Sequence, residues 1–196
     1  SNNRIYWDAG MGAGSGSRID KAIVDGEITD EWTHWAFAKN ATTGVMNIFK
    51  NGQLWHTGTG KFDPISTVSI LRIAQNSLWD GKLDEFRVWK KSLEQENIVA
   101  WMNAPLNNTH PFYSDLVLYY DFNDAGVVLD KSINGFDGAP TNENMIQFHN
   151  SSDQIHDVTL STNRPDVTFV QGEYVSEIDS VLVMDSILVN PISLSE

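Results

Sequence analysis

No cysteine occurs in the 196 residues, so disulfides and cysteine-ligated zinc or iron–sulfur centres are excluded. Basic residues are also scarce: 13 Lys and Arg stand against 26 Asp and Glu, a formal net charge of −13. Phosphate backbones require a basic footprint, so no nucleic acid is expected as a partner. A polybasic contact with an anionic membrane surface is excluded on the same ground. No run approaches the roughly 18 apolar residues of a bilayer span, so no membrane insertion is expected. A secretory leader is not among these residues and is expected to lie outside them. Helix-period patterns are nearly absent, which leaves an all-β reading.

What the chain does have is a series of short strands punctuated by turns. The organising stretch runs from Trp32 to Met102. It opens with a strand, Trp32 to Ala38, followed by Gly44 to Lys50, the pair Asn51-Gly52, and Gln53 to Gly58. Asn-Gly between two such runs predicts a β-hairpin, because both central residues of a type I′ turn need positive φ. Val68 to Ala74 and Lys82 to Trp89 read as further strands, separated by a turn at Asp80-Gly81. Ser92 to Trp101 reads as a short helix. Upstream, Arg4 to Ala9 and Arg18 to Ile23 are strands flanking the glycine-rich run Gly10 to Gly16. That run lacks the Lys-Ser/Thr of a phosphate-binding loop and no helix follows it, so it is read as a plain connection.

The run W-x-H-W-A-F, then I-F-K-N-G, L-R-I-A and G-K-L-D-E-F-R-V-W with Leu93 and Ile98 resembles the second half of a laminin-G-like domain. That is the bacterial and pentraxin-related branch of the concanavalin A-like lectin/glucanase fold, and the resemblance covers roughly residues 4 to 102. It implies an antiparallel β-sandwich of jelly-roll type with one short helix and a C-terminal β extension. A domain of this kind normally begins with L-V-x-Y-Y-x-F and then D-x-S-x-x-G-x-x-G. Here that pattern comes late, as Leu116 to Phe122 and Asp130 to Gly138. Residues 1–102 are therefore the main part of the sandwich, and 103–114, with Pro105 and Pro111, a linker. Residues 115–150 either complete that sandwich or open a second domain. Residues 151–196 are a β-rich extension or the start of another module.

The residues offer three chemistries. Asp130-x-Ser132-x-Asn134-Gly135 places oxygen donors and a glycine as in the first half of an EF-hand-type calcium loop. The twelfth position is Thr141 rather than the bidentate Glu. An Asx-turn, in which Asp130 and Asn134 satisfy backbone donors, is the alternative. The resemblance adds Asp84 and Asp121, since related sandwiches hold a structural calcium between their first and last strands. Asp84, on the strand face shared by Phe86 and Val88, needs a partner or a metal to offset its desolvation. Seven tryptophans supply the second chemistry. Trp32, Trp35, Phe37, Phe49, Phe86 and Trp101 are assigned to the core. Trp55 and Trp79, at or next to turns, are the candidate platforms for stacking on a sugar ring.

Catalysis is the third. Glycosidases need two carboxylates about 5 to 9 Å apart across a cleft, and the glucanases of this fold carry an E-x-D-x-E strand motif. The nearest approach here is Asp84-Glu85, which an unbroken strand would point to opposite faces. His34 is read as a core or capping histidine, and no enzyme is expected. The expected function is a non-catalytic binding or adhesion module of a large secreted or bacterial cell-surface protein. It would recognise a glycan or a surface protein, stand beside other domains of the same protein, and carry calcium as a structural cofactor. The alternatives are an accessory domain of a secreted hydrolase and a purely structural stalk.

Overall fold

The computed structural model describes residues 3–9, 17–28, 31–65, 71–73, 81–124 and 127–140, and the backbone of four later strands. In chain order the strands are β1 (Arg4–Asp8), β2 (Arg18–Ala22), β3 (Thr33–Asn40), β4 (Val45–Lys50), β5 (Gln53–Gly58), β6 (Arg72–Ile73) and β7 (Gly81–Asp84). They continue as β8 (Phe86–Trp89), β9 (Leu116–Tyr120), β10 (Gly138–Pro140), β11 (Ile146–His149), β12 (Asp157–Leu160), β13 (Val167–Phe169) and β14 (Val183–Pro191). The helix α1 (Gln95–Trp101) lies between β8 and β9.

The Asn51-Gly52 hairpin forms as its chemistry requires, with φ of 48° and 72° at the two turn residues. The Asn51 side chain also accepts a hydrogen bond from the His34 amide at 2.9 Å, fastening the turn to β3. From this meander grows the large sheet, ordered β11-β12-β7-β14-β3-β4-β5, with β8 pairing β14 and β9. β1 and β2 form a separate antiparallel pair, and β10, β13 and β6 another small sheet. The result is an antiparallel β-sandwich with one short helix among the described residues.

β3 shows why two layers form. Trp35 and Phe37 point one way and pack with Trp7, Ile19, Met46 and Ile48 beneath the β1–β2 pair. Ala36 and Ala38 point the other way, where their small side chains admit Phe49, Trp89, Leu93 and Ile98. The strand is thus buried on both faces, and large aromatic area dominates the side toward β1–β2. Of the aromatics assigned to the core, Trp35, Phe49 and Phe86 are buried, while Trp32, Phe37 and Trp101 are half-buried. The layers approach closely at Gly58, where an added Cβ would collide with the Ile19 side chain. Lys39 shares the inward face with Trp35 and Phe37 and is buried. Its ammonium donates to the Ala9 carbonyl at 2.7 Å, and desolvation holds its pKa below the ordinary value.

The strand expected from Lys82 to Trp89 is broken. Glu85 takes φ +53° and separates β7 from β8, and that one residue resets the alternation of faces. Leu83, rather than Asp84, therefore joins Phe86 and Val88 in a core with Leu118, Tyr120, Phe122 and Val128. Arg87 falls on the opposite side, fully buried. It donates to the carbonyls of Trp101 (3.0 Å) and Ala104 (2.8 Å), pairs with Glu85, and lies 5.4 Å from the Tyr119 ring. One guanidinium thus ties β8 to the end of α1, to the segment after it, and to β9. Residues 103–114 pack against β8 and α1. Leu106 and His110 are buried, with His110 centred 4.5 Å from Trp89 and 4.9 Å from Trp101.

Candidate functional site

The calcium-like loop sits on the edge of β9 that β8 leaves open. Asp130 Oδ1 accepts from the backbone N–H groups of Tyr119 and Ser132, both at 2.9 Å. Its Oδ2 accepts from the Ser132 hydroxyl and the Phe136 amide, both at 2.8 Å. Ser132 Oγ and Asn134 Nδ2 in turn donate to the Val117 carbonyl, at 3.1 and 2.9 Å. Among the described residues no second strand pairs with β9 here, and the motif takes that place: its side chains and backbone satisfy the edge groups of β9 at Val117 and Tyr119. A carboxylate already accepting four hydrogen bonds, beside an asparagine that turns its NH2 to carbonyls, does not fit a calcium loop.

The other two proposed ligands lie elsewhere. Asp84 is buried at the end of β7, its Oδ1 accepting from the Glu85 amide at 2.8 Å. Asp121 follows β9 half-buried, its Oδ1 accepting from the Asn123 amide at 3.2 Å. Among the described residues no three His, Cys, Asp or Glu side chains gather as a metal-binding group. The structure brings Asp130 and Asn134 together, and does not join Asp84 and Asp121 to them as such a group.

Of the two tryptophans, Trp79 lies outside the described residues. Trp55 is half-buried at the margin between the layers, meeting Trp35 edge to face at 5.4 Å. Lys21 Nζ stands 4.3 Å from the Trp55 ring centroid, where cation–π attraction holds it. The indole N–H donates to Glu27, and that hydrogen bond is the first cause of a lowered Glu27 pKa. With one face under an ammonium and its N–H engaged, the ring is a clasp between β2 and β5 more than an open platform.

A different aromatic faces outward. Along β1, Trp7 and Ala9 go inward, which turns Arg4, Tyr6 and Asp8 to the outer face. The register pairs Tyr6 with Asp20 and Asp8 with Arg18 across β2. Tyr6 is 40% exposed, and the Arg18 guanidinium lies 5.2 Å from its ring. Arg18 makes a forked contact with Asp8, Nε to Oδ1 at 2.7 Å and Nη2 to Oδ2 at 2.6 Å. Arg4 pairs with Asp20 on the other side, and Asp8 raises the Arg18 pKa through their hydrogen bond. An apolar ring flanked by two sets of planar, hydrogen-bonding charges thus occupies one surface. Sequence reading passed over Tyr6. Its signal was the alternation Arg4, Tyr6, Asp8 against Ile5, Trp7, Ala9.

A family model described as the concanavalin A-like lectin/glucanases superfamily, laminin G, matches residues 1–99. The chain belongs to the laminin-G-like family. No curated protein and no solved structure matches it.

Laminin-G-like domains are typically non-catalytic binding modules for carbohydrate or protein and are typical of extracellular proteins. In this one, the acid nearest to a glycosidase arrangement is fully engaged. Glu85 pairs with Arg87 and accepts the Tyr119 hydroxyl at 2.9 and 3.0 Å. Burial, and then the Glu85 charge, push the Tyr119 pKa up. A carboxylate locked in this way is poorly placed to carry a proton to a glycosidic oxygen. No described helix of this laminin-G-like chain is long and apolar enough to cross a membrane.

Proposed function

We propose that this laminin-G-like chain is a non-catalytic binding module of a secreted or cell-surface protein, and that it recognises glycan through the outer face of β1–β2. The observation that carries the reading is the exposed Tyr6 ring set between the Arg18–Asp8 and Arg4–Asp20 pairs. A pyranose offers an apolar C–H face to an aromatic ring and hydroxyls to planar charged groups, and this surface supplies both. Exposed ion pairs contribute little to stability, so a forked pair here does little for the fold.

The test is a glycan screen followed by calorimetry on the best ligand. Tyr6→Ala is expected to weaken binding by roughly tenfold through lost stacking, and to leave the melting temperature nearly unchanged. Tyr6→Phe should retain most of the affinity. Equal affinity in Tyr6→Ala, or no glycan bound at all, would overturn the reading. Calcium has no part in it. Because the Asp130 oxygens are engaged, thermal unfolding in excess calcium and in chelator is expected to give one melting curve. A rise with calcium would instead assign the ion to another set of oxygens.

A further inference from the structure

β5 ends the large sheet: among the described residues it pairs with β4 and with no strand on its other side. Such an edge presents unpaired amides and carbonyls to any strand that approaches. The strand itself offers little resistance. Gln53-Leu54-Trp55-His56-Thr57-Gly58 contains no Asp, Glu, Lys or Arg, although charged residues make up 20% of the chain. Leu54 is 50% exposed. Set antiparallel to itself across a two-fold axis, this segment would meet no like charges of its own, in a molecule that is otherwise strongly acidic.

What blocks that pairing comes from β2. The β4–β5 register slips between Ile48 and Phe49, so Trp55 is the extra residue of a bulge. Lys21 Nζ donates to the Trp55 carbonyl at 3.1 Å while resting on the Trp55 ring. Glu27 takes the indole N–H on one oxygen and the Val24 amide, at 2.9 Å, on the other. A second strand arriving at Trp55 would have to displace the ammonium from its acceptor or strip water from it and from the nearby Glu27 carboxylate. Desolvation of that kind is unfavourable.

We propose that Lys21 is a gatekeeper that keeps β5 from edge-to-edge antiparallel pairing with a second copy of this chain. Sedimentation velocity across a concentration series tests this on the wild type, Lys21→Ala, Lys21→Met, and Lys21→Met combined with Leu54→Lys. Lys21→Met keeps the alkyl packing on Trp55 and removes the donor and the charge, so it reads the effect even where Lys21→Ala is poorly folded. The wild type is expected to remain monomeric. Both single variants should self-associate at least about tenfold more tightly, and the Leu54→Lys charge should return the chain to monomer. A folded, monomeric Lys21→Met variant overturns the proposal. So does a wild type that dimerises as tightly as the variant.

Discussion

Replacing Arg87 with alanine is expected to cost about 3–5 kcal/mol of stability, the range for removing one partner of a buried ion pair. For a chain of this size that is a fall in melting temperature of roughly 6–20 °C by calorimetry. Three acceptors lose their donor together: the Glu85 carboxylate and the carbonyls of Trp101 and Ala104. The Glu85 side chain is 18% exposed and recovers part of its hydration, which favours the lower end of the range. Arg87→Lys should rescue little, because one ammonium on a flexible stem cannot reproduce a fork that reaches three acceptors. A melting temperature within about 2 °C of wild type would show that the tie between β8, α1 and β9 is dispensable.

The second large effect is expected at Asp130. Alanine there strands the amides of Tyr119, Ser132 and Phe136 and the Ser132 hydroxyl. Hydrogen bonds to a charged group contribute about 1.5–3 kcal/mol each, and water replaces some of them at this half-exposed site, so the net loss should be about 3–4 kcal/mol. Asp130→Asn keeps one oxygen and should lose less. Ordering of the two variants, read from chemical denaturation midpoints, separates an edge cap from a metal ligand. A cap grades the loss by the donors left unpaired, equally in calcium and in chelator. A ligand would make the loss appear only when calcium is present.

Sequence and structure agree where one residue type has one physical use. Asn51-Gly52 announced a hairpin because few residues tolerate positive φ twice in succession. They part where the same atoms serve two chemistries. Asp130, Ser132 and Asn134 present oxygens, and spacing alone does not say whether those oxygens meet a cation or backbone N–H groups. Only the position of β9 decides that. The bulge at Glu85 was hidden for a different reason: period-2 counting assumes an unbroken strand, and one positive-φ residue moved Asp84 off the face of Phe86 and Val88. The outer face of β1–β2 was half visible. The alternation of β1 marked Tyr6 as outward, but the pairing with Asp20 and Arg18 depends on a register no local pattern gives. His110 likewise looked like part of a connection, since its contacts with Trp89 and Trp101 exist only once β8 and α1 are in place.

Lys39 has a consequence on the alkaline side of neutrality. Its folded pKa lies below that of an unfolded lysine because the buried ammonium is poorly hydrated, with the Ala9 carbonyl and the Met46 thioether beside it. Folding therefore sheds a proton at this site in the interval between the two values. Below that interval the cation carries a constant penalty. As pH climbs through the folded pKa toward the ordinary lysine range the penalty disappears, so this residue makes the domain more stable with rising pH. Lys39, which links β3 to the Ala9 carbonyl, therefore detracts from stability most in acid and neutral solution and least in base.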